Sequence, residues 1–212
     1  MSLTSSVVTM LGAVVLLCAF LQISRRRLVA MLKLNQIASL ALGGAALWQG
    51  FAQQAWSFYA LGVLILVVQA VALPRVLRRM MSLFHVSTEA GHALPVAWSL
   101  LVGLLPVILA GLATVPATNL SLPSASGGVA IALAILLLGV WLMVVHVQPF
   151  GQIIGFITLE NGLVLGLINV HGLGWAVDIA MVTLLGMQAC LILLAYWRHS
   201  GPEEIKTGGA DL

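Results

Sequence analysis

The stretch Pro149-Phe-Gly-Gln-Ile-Ile-Gly-Phe-Ile-Thr-Leu-Glu-Asn-Gly-Leu-Val-Leu-Gly-Leu-Ile-Asn169 reads as one membrane-crossing helix with a single carboxylate, Glu160, near its middle. At about 1.5 Å of rise per residue, such a run reaches roughly 30 Å, the thickness of a bilayer's hydrocarbon core. A charge at that depth costs about 3 kcal/mol on insertion scales, and the rare examples serve proton relays, ion pathways or buried partner charges. The same segment therefore sets the fold class and raises the functional question.

The rest of the chain agrees with it. Of 212 residues, 61% are hydrophobic and only 7% are charged, with a mean hydropathy of +1.13. A soluble domain cannot solvate such a surface, so the bilayer is the solvent. The apolar runs are continuous and lack the alternation of a membrane β-barrel. The 21 glycines suit helices that approach closely in lipid. The expected fold is all-α, a polytopic bundle with spans at roughly 4–23, 29–50, 55–73, 94–115, 128–147, 150–170 and 174–197.

Charge sets the expected orientation. The cations are Arg25, Arg26, Arg27, Lys33, Arg75, Arg78, Arg79, Arg198 and Lys206. With seven spans they all fall on one side, which the positive-inside rule makes cytoplasmic: N-terminus out, C-terminus in. Lys33 lies in the first half of the second span, from where it can snorkel to the interface; were that span not inserted, the one-sidedness would be lost. The pI near 9.3 then reports orientation and points to no nucleic-acid partner. The first apolar run has no basic segment before it and arginines after it, so a retained helix is expected.

The chain divides into a three-helix half (1–73), a cytoplasmic connection (74–93), a fourth helix with an outer loop (94–126), a second three-helix half (127–197) and a cytoplasmic tail (198–212). The two halves align as a parallel repeat. Leu34-Asn35-Gln36 falls against Leu159-Glu160-Asn161, and Trp56 with Gln69-Ala70 against Trp175 with Gln188-Ala189. In the connection, Pro74 is expected to end the third span. After it, Arg75, Arg78, Arg79 and Ser82 share one helical face and Val76, Leu77, Met80, Met81 and Phe84 the other. That pattern predicts a short amphipathic helix in the lipid interface, contacting headgroups or a docked subunit.

Glu160 is the leading relay candidate; the alternative is a paired carboxyl that only joins helices. At 100° per residue it points away from Gly151, Gly155, Gly162 and Gly166, a small-residue stripe suited to close packing. A protein surface, of this chain or another, or a hydrated cavity should cover the acid. Asp178, early in the last span, reads equally as an interfacial carboxylate or as a second relay member. His146, at the end of the fifth span, and His171, in the outer connection, could pass protons to the acids or be simple loop or interface histidines. Neither they nor His85, Glu89 and His92 have metal-ligand spacing. Cys18 and Cys190 read as structural thiols within spans. No nucleophile elbow, phosphate loop or dinucleotide fingerprint is present, so no catalytic bond chemistry is assigned to this chain alone.

Over nearly its whole length, the chain resembles the hydrogenase-4 component E family, membrane subunits of group 4 hydrogenase and formate hydrogenlyase complexes. The residues that carry the resemblance are Leu73-Pro74-Arg75-Val76-Leu77-Arg78-Arg79, Ile157-Thr158-Leu159-Glu160-Asn161-Gly162 and Leu173-Gly174-Trp175-Ala176-Val177-Asp178. The last three helices also resemble the small K subunit of respiratory complex I and the C subunit of multisubunit cation/proton antiporters. The resemblance implies a multi-pass subunit of a bacterial or archaeal cytoplasmic membrane, seated among antiporter-like subunits and a peripheral redox arm. Glu160 would match the family's intramembrane glutamate and take part in proton or sodium translocation. No cofactor is implied in this chain; iron–sulfur clusters and a nickel–iron centre would sit in partner subunits. One departure is that Gln69 stands where a lysine is expected late in the third helix. Two other readings of the same residues are a passive scaffold between antiporter-like subunits and a stand-alone small-solute carrier.

Overall fold

The computed structural model describes residues 3–83, 95–118, 126–169 and 174–200. They form α1 (Leu3–Ile23), α2 (Leu28–Gln53), α3 (Trp56–Leu64), a π-helical segment (Ile65–Ala72), α4 (Leu73–Leu83), α5 (Val96–Thr118), α6 (Ser126–Val145), α7 (Pro149–Asn169) and α8 (Gly174–Ser200). A helix satisfies every backbone N–H and C=O within itself, which is why apolar chain in lipid takes this form. Among the described residues, six helical stretches are long and apolar enough to cross a membrane: Ser5–Ile23, Leu28–Gln53, Trp56–Ser82, Ala97–Thr114, Gly127–Val145 and Pro149–Asn169. In α8, the apolar stretch among the described residues is the shorter Val177–Cys190.

The turns are tight. Between α1 and α2, the Ser24 hydroxyl donates to the Leu21 carbonyl at 2.9 Å and the Arg25 N–H to the Gln22 carbonyl at 3.2 Å. At the other end of α2, Gln54 takes a left-handed conformation (φ 53°) that turns its N–H back onto the Gly50 carbonyl. Arg25, Arg26, Arg27, Lys33, Arg75, Arg78 and Arg79 are all exposed and gather at one end of the bundle, where α1 ends, α2 begins and α4 runs out.

Pro74 does not end the third span. Helix continues from Trp56 to Ser82, with the wider π turn just before the proline. Proline has no N–H to return to the carbonyl four residues back, that of Ala70. Gln36 of α2 supplies the missing donor: its Nε2 lies 3.1 Å from the Ala70 oxygen. Nor does the amphipathic helix lay its apolar face on lipid. Leu73, Leu77, Met80 and Met81 are buried against Ile23, Leu28, Met31, Leu32 and Phe150. Phe84 lies outside the described residues.

The interior has two apolar clusters. One, at the arginine-bearing end, holds those side chains together with Leu138, Leu142, Ile154 and Ile157. The other, toward the opposite end, holds Leu42, Ala46, Leu61, Ile65, Val164, Leu165, Ile168 and Leu184. Between them along each helix fall buried polar side chains: Asn35 and Ser39 on α2, Gln69 on the π segment, Glu160 and Asn161 on α7, and Gln188 on α8. Helix α5 is peripheral and leaves Trp98, Leu101, Leu105 and Leu112 exposed on the outside of the bundle.

Candidate functional site

Helix α7 sits at the centre of that polar layer because its two faces suit different neighbours. Its glycine face meets α6. A β-carbon at Gly162 would stand 2.5 Å from the Leu136 nitrogen and 2.9 Å from the Ala132 carbonyl oxygen. One at Gly155 would be 2.8 Å from the Met143 nitrogen, and one at Gly151 would be 2.7 Å from the His146 β-carbon. Only hydrogen fits at such separations, so backbone packs on backbone. Gly166 differs, since a β-carbon there would make an ordinary contact of 3.6 Å with Ala132.

Glu160 points away from this face and is only 3% exposed. Its cover comes from within the chain. Gln69 Nε2 donates to Glu160 Oε2 at 3.4 Å, and Gln188 Nε2 donates to the same oxygen at 3.3 Å. The Ser39 hydroxyl lies 3.4 Å from Gln69 Oε1 and 2.9 Å from the Asn35 carbonyl, so its one hydrogen is shared between them. Both glutamine bonds are long for N–H···O contacts. Oε2 therefore receives two neutral donors, while buried Oε1 has no hydrogen-bond partner among the described residues. Such a carboxyl can carry a proton on Oε1 while Oε2 stays anchored.

No family model, curated protein or solved structure matches this chain. The site is therefore read from its own geometry.

On the remaining side of α7, the Thr158 hydroxyl bonds Gln22 Oε1 of α1 at 2.9 Å and the Ile154 carbonyl at 2.9 Å. Asn161 is buried with both side-chain polar atoms unpartnered among the described residues, as are those of Asn35. The other predicted relay residues do not join Glu160. Asp178 is exposed, and ten positions of α8, about 15 Å of helix, separate it from Gln188. His146 is buried at the turn before α7 with Nδ1 3.0 Å from the Leu142 carbonyl; a carbonyl only accepts, so that nitrogen carries hydrogen. His171, His85, Glu89 and His92 lie outside the described residues. Cys18 is buried, whereas Cys190 is exposed on the outside of the bundle. Among the described residues, no three His, Cys, Asp or Glu side chains come together as a metal site.

Gln188 and Ser39 were not singled out as site residues from sequence, and Gln69 only as a departure from an expected lysine. A signal was present. The repeat alignment pairs Gln69-Ala70 with Gln188-Ala189, and those two glutamines grip the same oxygen from opposite elements. Gln69 meets Glu160 as a neutral amide, through a hydrogen bond without an ion pair.

Proposed function

We propose that this chain is a seven-span, N-out/C-in subunit of the membrane arm of a redox-driven, energy-converting complex of the group 4 hydrogenase type, in a bacterial or archaeal cytoplasmic membrane. Its part is charge movement at Glu160; the redox chemistry and its metal centres belong to partner subunits. The observation that carries this reading is a mid-span carboxyl held by two neutral amides on one oxygen, with no hydrogen-bond partner on the other among the described residues. A residue serving only to join helices has no need of a titratable group, since an amide bonds as well at lower insertion cost.

A tagged chain extracted in mild detergent is expected to bring down large antiporter-like subunits and a nickel- and iron-containing arm. Purification as a single species that transports a solute in liposomes would replace this reading with the carrier. For orientation, a reporter fused after Trp197 is expected to behave as cytoplasmic and one between Pro116 and Ser126 as external. The reverse at either site removes the seven-span arrangement.

A further inference from the structure

We propose that Glu160 exchanges protons with water at the arginine-bearing end of the bundle only, along the interface between α2 and the π segment. The proposal rests on the reading that Glu160 takes up and releases protons, and adds the side from which it does so.

The polar groups are ordered along that interface. Exposed Arg78 marks the mouth, its Nη2 donating to Gln36 Oε1 at 3.2 Å. Gln36 is half-buried and spans inward to the Ala70 carbonyl. Beside Gln36 on α2 stands Asn35, fully buried with both amide atoms unpartnered among the described residues, and Ser39, one turn further in, meets Gln69. Gln69 then reaches Glu160. Gln188 Oε1 and Glu160 Oε1 are two more buried atoms at the inner end that have no partner among the described residues. Buried polar atoms that lack protein partners are satisfied by ordered water, typically in a chain of two to four bonds per molecule. The π segment replaces the α-helical ladder with wider bonds to the residue five back, as from the Leu73 N–H to the Val68 carbonyl, and such turns recur at functional sites.

The opposite direction has a different lining. Beyond Glu160, α2, α3, the π segment, α7 and α8 present Leu42, Ala46, Leu61, Ile65, Val164 and Leu184, an apolar cluster. There α2 and α3 close tightly, since a β-carbon at Gly62 would stand 3.1 Å from the Gly43 carbonyl. Asn161, next to Glu160 on α7, is also buried with both amide atoms unpartnered among the described residues, but on α2 the next buried amide, Gln49, gives an N–H to the Ile168 carbonyl at 3.3 Å. The groups facing Glu160 are neutral: Gln69 from the π segment and Gln188 from α8, with Ser39 and Asn35 of α2 behind Gln69. In the turn between α6 and α7 the titratable group is His146, at the far base of α7, and on α1 Gln22 engages Thr158. Arg78 is the first charge met along the route.

The test uses native membrane vesicles of both orientations carrying the full complex and a hydrophobic carbodiimide, which modifies protonated carboxyls within membranes. Labelling of the Glu160 peptide is read by mass spectrometry while the pH on each side is set separately. Raising the pH on the arginine-bearing side is expected to lower labelling, and raising it on the other side to leave labelling unchanged. Asn35→Leu, similar in size but without polar atoms, is expected to abolish the response. A response from the opposite side, or from both, overturns one-sided access while leaving the titrating role intact. No response from either side overturns that role as well. A wild-type response in folded Asn35→Leu removes Asn35 from the route, and the wild-type measurement decides sidedness even if that variant does not accumulate.

Discussion

Glu160→Gln is expected to leave the complex assembled and to lower its proton-coupled activity by about a hundredfold, the lower end of what a positioned proton-transfer group contributes. Glutamine keeps the length of the side chain, and its carbonyl oxygen can accept from both Gln69 and Gln188 as Glu160 Oε2 does. What it loses is titration. The substitution therefore separates charge transfer from helix joining. Glu160→Asp should fall between the two. The carboxyl survives but retreats by one methylene from donors already at 3.3 and 3.4 Å, so at least one bond passes beyond useful range. The measurements are subunit stoichiometry in the purified complex and the ion gradient formed per substrate turned over. Wild-type coupling in an assembled Glu160→Gln complex would leave the scaffold reading standing.

Gly162→Leu should act on the other face of the same helix and remove the folded chain from the membrane. Even the first added carbon would fall 2.5 Å from the Leu136 nitrogen and 2.9 Å from the Ala132 oxygen, and both are backbone atoms that cannot swing aside. Overpacking of this kind costs about 1–3 kcal/mol where neighbours can adjust, and more where they cannot. The internal control is Gly166→Ala, whose new carbon has ordinary contact room at 3.6 Å from Ala132 and should leave the amount of folded chain near wild type. Detergent-extracted, fluorescence-detected size exclusion compares the two directly. Equal levels for Gly162→Leu and wild type would mean that α6 and α7 do not pack as described.

The two faces of α7 were legible from residue spacing because helical phase is a local property. Once the segment is helical, 100° per residue places Glu160 opposite Gly155 and Gly162, whatever surrounds them. The third span was misread for the same reason. Proline is a local signal to stop, yet here Gln36, from another helix, caps the Ala70 carbonyl and the chain runs on through Pro74. Likewise the arginine pattern at Arg75, Arg78 and Arg79 showed an amphipathic helix correctly, but it could not say whether Leu77 and Met81 would meet lipid or protein.

By itself the sequence determined that this is a membrane-embedded helical chain, where its apolar segments run and which face of α7 bears the acid. Those follow from hydropathy, length and helical period, each readable within some twenty residues. Only the tertiary structure decided that Gln69, 91 positions away, and Gln188, 28 positions away, hold Glu160. It also decided that Asp178 and His146 do not reach Glu160. In lipid every apolar helix face is equally well solvated by acyl chains, so hydrophobicity does not choose neighbours. The choice falls to close backbone fit, as between α6 and α7, and to sparse polar contacts such as those of Gln36, Gln69 and Gln188, which exist only once the helices are side by side.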